Sequence, residues 1–188
     1  MKIADERIPG GCSIAGVLDR KGGLISGTVI TDMISVMHER SNGLGGGFAG
    51  YGIYPDHPDD FCFHVMYLSE AGKSAAESFI QSKFRIKQQE IIPTRPVETI
   101  KNRPLLWRYF LELKAEVRSE FYELAEDDIV MKFVMYINEE IENAFVVSSG
   151  RNMGVFKGVG YPEEMADFYR LEEYKAFMWI SHGRFPTN

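Results

Sequence analysis

Cys12 follows two glycines and a polar leader, Met1 to Gly11. A thiol becomes a nucleophile only where a base or a positive field favours its thiolate. No histidine lies near Cys12 in sequence, although one can approach it in space. A second route needs no other side chain. Cut after Gly11, Cys12 carries its own α-amine, and the ordinary pKa of such a group, about 7.7–8.0, suits a general base near neutral pH. Gly10 and Gly11 would let the peptide bond enter the turn that cleavage demands. On residue type alone, a cysteine packed as a small hydrophobe is the default.

Two other groupings could do chemistry. Gly45-Gly46-Gly47-Phe48-Ala49-Gly50 satisfies G-x-G-x-x-G, but that motif binds a pyrophosphate only between a strand and a following helix. Here a helical pattern precedes and an aromatic, strand-like run follows, so the stretch reads as a helix-to-strand loop. His57, Cys62 and His64 lie close together among Asp56, Asp59 and Asp60. Cys62 and His64 would share a strand face and could ligate a metal. No second ligand pair has a matching spacing, so no metal is assigned.

The elements that must position these residues are mixed. Cys12 to Leu18 reads as a short buried strand, and Val29, Ile30, Met33, Val36 and Met37 recur at helical spacing between Ser26 and Arg40. The pattern predicts strands over Phe61–Leu68, Ile86–Ile92, Ile129–Ile137, Ala144–Ser148, Met153–Val159 and Lys175–His182. It predicts helices over Ala71–Phe84 and Glu116–Leu124 and one opening at Pro162, which suits a first helical turn. Pro93 to Pro104 reads as a loop. Strands and helices do not alternate strictly, which favours an α+β fold over a doubly wound sheet.

Composition excludes several classes. Of 188 residues, 45% are hydrophobic and 26% charged, as in a soluble globular chain. No apolar run nears the roughly 18 residues of a membrane helix, and the first eleven residues lack the apolar stretch of a secretory signal. A net charge of −6 with mixed signs gives no footprint for nucleic acid. Two cysteines fit a reducing cytoplasm.

At the chain's far end, Ser181-His182-Gly183-Arg184-Phe185-Pro186-Thr187-Asn188 resembles the glutamine-binding signature of the class II glutamine amidotransferases, which are N-terminal nucleophile hydrolases. Cys12-Ser13-Ile14-Ala15-Gly16 behind a short leader resembles the start of that family. Phe145 to Gly158, with Phe168-Tyr169-Arg170-Leu171, is similar to the segment that glutamate synthases carry ahead of the signature. The resemblance spans Cys12 to Asn188, with a less typical middle.

This likeness implies an αββα sandwich, incomplete here, with a small βαβ insertion at about 58–125 and a leader, residues 1–11, that is removed. It implies a glutaminase half of a glutamate synthase that forms a thioester on Cys12 and passes ammonia to a synthase component. That catalytic partner would use FMN and an iron–sulfur cluster; no cofactor signature lies in this chain. Arg184 would pair with the glutamine carboxylate, Thr187 would add a hydroxyl, and Phe185 is the signature's aromatic. His182 matches a position that is usually a structural member of the strand. The family's oxyanion Asn-Gly pair and a later aspartate would fall beyond Asn188, so this stretch alone is expected to be inactive. Asn42-Gly43 is not assigned to that role. A non-catalytic homologue and an amidotransferase that feeds phosphoribosylamine synthesis remain as alternatives.

Overall fold

The computed structural model describes residues 12–101 and 103–184. β1 (Ile14–Leu18) and the two-residue β2 (Ile25–Ser26) lead into α1 (Gly27–Ser35). Ser26 caps that helix: its Oγ accepts from the Thr28 N–H at 3.2 Å and satisfies one of the donors a helix start leaves open. Ile30 and Ile34 form its buried stripe. The helix ends at Ser35, short of the predicted Arg40, and a 3-10 turn over His38–Arg40 follows.

Gly43, at φ +68°, then turns the chain with Asn42 Oδ1 accepting from the Leu44 N–H at 3.1 Å. β3 (Gly46–Tyr51) begins at once. The stretch Gly45–Gly50, predicted as a helix-to-strand loop, is therefore almost all strand, and its glycines are steric. A Cβ at Gly46 would sit 3.2 Å from Pro162, and one at Gly47 would sit 3.1 Å from the His182 ring and the Phe156 carbonyl.

The chain continues through β4 (Phe61–Tyr67), α2 (Glu70–Lys83), β5 (Phe84–Ile91), β6 (Leu105–Leu113), α3 (Ala115–Glu120), α4 (Glu126–Glu140) and β7 (Ala144–Ser148). Ile129–Ile137, predicted as a strand, lies inside α4. Glu126, Asp127 and Asp128 fill the helix's first turn, where its dipole favours negative charge. Ile129, Val130, Phe133 and Ile137 are its buried residues; that spacing fits one helical face, and the apparent alternation was incidental.

These strands form an antiparallel sheet of order β5-β6-β4-β7. β4 and β5 are thus parallel with β6 between them, which makes β4-α2-β5 a split βαβ. With β6, the helices and β7, the connectivity is that of the ferredoxin-like arrangement. Its core packs Phe63, Val65, Tyr109 and Leu111 from the sheet against Ile80, Phe133 and Ile137 from the helices.

The remaining elements are β8 (Met153–Gly158), α5 (Pro162–Phe168), β9 (Lys175–Ala176) and β10 (Met178–His182). Pro162 opens α5, and Glu164 accepts from the Tyr161 N–H at 2.8 Å. The single strand predicted over Lys175–His182 is divided at Phe177, because β9 pairs with β2 whereas β10 pairs with β1. β1-β10-β3-β8 make a second four-stranded sheet, and α1 packs against β1, β10 and α5. Trp179 is fully buried there, with Nε1 donating to the Ile25 carbonyl at 2.9 Å.

Two compact units result, one of residues 12–50, 94–101 and 156–184, the other of 51–93 and 103–155. The fold is α+β with antiparallel sheets. No described helix is long and apolar enough to cross a membrane.

Candidate functional site

Cys12 stands just before β1, and Arg184 two residues after β10. The two strands are antiparallel, with Ile14 opposite His182 and Gly16 opposite Ile180. The Gly183 N–H donates to the Ser13 carbonyl at 3.0 Å, so the ladder runs one step beyond Ile14. A further step in the same register would set Cys12 across from Arg184. Opposed residues of an antiparallel pair share a face, with Cβ atoms typically about 5 Å apart. Cys12 is exposed and Arg184 half-buried. The account of Cys12 as a packed small hydrophobe therefore fails, whereas it describes Cys62, which is fully buried and whose thiol burial pushes far up.

The same face carries Ile14, Leu18, Ile180 and His182, while Ser13, Ala15, Trp179 and Ser181 turn inward and are buried. His182 was expected to be a structural member of the strand; it ends β10, but its side chain is exposed, because it falls on the open phase of that strand. Its Nδ1 lies 3.2 Å from the Arg184 carbonyl. A carbonyl can only accept, so Nδ1 carries the proton. A Cβ on Gly47 would touch both His182 Nε2 and Lys157 Cβ at 3.1 Å, so these two side chains flank the bare backbone of β3.

Three residues that the sequence patterns did not single out hold this corner. Ser41, buried after the 3-10 turn, donates through Oγ to the Gly183 carbonyl. Gly183 leaves no room for a side chain, since a Cβ there would run into Ser13 Oγ. The Ser13 hydroxyl is buried and has no hydrogen-bond partner among the described residues. A distant serine tethering a strand end has no periodicity to announce it. The predicted Phe185 and Thr187, the leader 1–11 and Asn188 lie outside the described residues.

The histidines of the second unit have protein partners. His64 is buried between Tyr54 Oη, 2.6 Å from Nε2, and the Val155 carbonyl, 3.0 Å from Nδ1. Burial is the chief cause that pulls its pKa down to about 4, against the hydrogen bond to Val155 and with help from the Arg108 charge. His57 stacks on Phe110 and contacts Asp60 Oδ2 at 2.9 Å and Gln88 Oε1 at 3.2 Å. Burial opposes the Asp60 charge, but hydrogen bonds from Lys87 and His57 outweigh it and hold that carboxyl below its usual range. The expected Cys62–His64 strand face is thus occupied by a tyrosine and a carbonyl.

No protein-family model matches the chain. The chain is similar to an uncharacterized protein of Archaeoglobus fulgidus, 45% identical over 180 residues. That alignment takes in 94% of this chain and 47% of the archaeal protein, so the chain spans about half the length of the relative it matches.

Proposed function

We propose that the chain carries the nucleophile and the carboxylate-binding arginine of a class II glutamine amidotransferase, the ammonia-producing half of a glutamate synthase. The observation that carries this reading is the β1–β10 register, which pairs Ile14 with His182 and, extended by two residues past that pair, would set the exposed Cys12 opposite Arg184. The residues then have separate tasks. With residues 1–11 removed, the α-amine of Cys12 takes the thiol proton, and Sγ attacks the side-chain carbonyl of glutamine. The carbon–nitrogen bond breaks, ammonia leaves with that proton, and water hydrolyses the thioester to glutamate. The planar guanidinium of Arg184 suits bidentate pairing with the substrate α-carboxylate, and Thr187 and Phe185 complete that end.

The sheet supports the finer fold as well. Helices cover one face, while the other carries Ile14, Leu18 and Ile180, which are 69%, 54% and 42% exposed. In an αββα sandwich a second sheet would cover that apolar face. The ammonia acceptor is a synthase partner, whose FMN and iron–sulfur cluster lie outside this chain.

The test uses the full-length protein. Its intact mass should be short by residues 1–11, and Cys12→Ala should lower ammonia release from glutamine by roughly a thousandfold or more. A Cys12→Ala protein as fast as the parent would overturn the proposal.

A further inference from the structure

We infer that His182 is a positioning residue that fixes the backbone from which Arg184 meets the carboxylate of an amino-acid substrate. The inference rests on the amidotransferase reading and adds a residue to it. Three backbone groups of Gly183 and Arg184 are tied one by one. The Gly183 N–H goes to the Ser13 carbonyl at 3.0 Å, the Gly183 carbonyl accepts from Ser41 Oγ, and the Arg184 carbonyl accepts from His182 Nδ1 at 3.2 Å. The first two lie on Gly183. The third, from the imidazole, is made to the Arg184 peptide itself.

The placement of the ring separates this role from that of a base. β10 lies between β1, next to Cys12, and β3. His182 Nε2 sits over Gly47 of β3, within 3.1 Å of where a Cβ would stand. The imidazole therefore leans away from the strand that leads from Cys12, and Gly47 supplies the space it leans into. Its Nδ1–H donates whether the ring is neutral or protonated. The side chain is exposed and belongs to no core, so removing it leaves the ladder of β1 and β10 standing.

An arginine that binds the carboxylate equally in ground state and transition state sets KM, and losing its orientation raises KM at constant kcat. One hydrogen bond of ordinary net worth corresponds to about tenfold. In the full-length, mature protein, His182→Ala should raise KM for glutamine about tenfold and leave kcat within about twofold. His182→Asn keeps a donor near Nδ1 and should return KM to within about threefold of the parent. His182→Gln, whose amide lies one carbon further out, should behave as His182→Ala does. A fall in kcat at constant KM would place His182 at the reacting atoms and overturn the inference. So would loss of thermal stability with both constants unchanged, or an Asn variant no better than Ala. A parent with no Cys12-dependent ammonia release would instead overturn the amidotransferase reading, and this inference with it.

Discussion

Gly183 is the residue on which the site's geometry turns. It donates to Ser13, accepts from Ser41, and has no space for a methyl group because Ser13 Oγ occupies it. Gly183→Ala should cost about 1–3 kcal/mol by overpacking and, on the proposed reading, should weaken glutamine binding by shifting Arg184. Ser13 Oγ has no partner among the described residues, so Ser13→Ala alone should be nearly neutral in urea unfolding. The double variant should regain most of the lost stability, because the two residues are in contact and their effects couple. Equal losses in the single and double variants would refute the steric account. Cys12 and Arg184 drew attention in the sequence because their residue types stood in a motif order, and their site roles remain the proposal made above. Ser41, Ser13 and Gly47 drew none, since their contribution is a contact made across the sheet or through a turn, and residue type alone says nothing of it.

β4 and α4 show where periodicity succeeds and where it misleads. β4 was readable as an apolar run, the mark of a strand buried on both faces, and six of its seven residues are buried, His64 among them. A buried histidine held near pKa 4 binds its proton in the unfolded chain at about 6.5 but not in the folded one. Stability is therefore full above pH 6.5 and falls as pH drops from there towards 4. The loss between pH 7 and pH 5 should be about 2 kcal/mol, and His64→Gln should flatten that slope in denaturant titrations at each pH. In α4 the alternation of Ile129, Met131, Phe133, Met135 and Ile137 suggested a strand, yet Met131 and Met135 are 58% and 49% exposed. A strand would bury all five on one face. Phe133→Ala should thus cost about 3–5 kcal/mol, whereas Met131→Ala and Met135→Ala should stay within about 0.5 kcal/mol. Three similar losses would restore the strand.

Over the whole molecule, the chain divides between two sets of packed side chains. One is built on Ile30, Ile34, Phe48, Phe156 and Trp179, the other on Phe63, Ile80, Tyr109, Phe133 and Ile137. The sequence placed a βαβ piece in the middle but could not show that β6 and β7 complete its sheet, because strand order is decided by pairing between distant segments. Proteins open in cooperative units that often match such substructures. Ile30 and Ile80 are each fully buried, one in each unit, and truncating either to alanine should cost about 2–5 kcal/mol. If each unit opens on its own, Ile80→Ala should speed amide exchange across β4, β6 and β7 while β1 and β10 keep the parent's protection. Ile30→Ala should do the reverse. Because Cys12 and Arg184 both belong to the first unit, the ammonia release proposed for the full-length protein should then survive Ile80→Ala better than Ile30→Ala. Uniformly faster exchange in both variants would mean that the two cores unfold as one, and the activity of the two variants should then fall together.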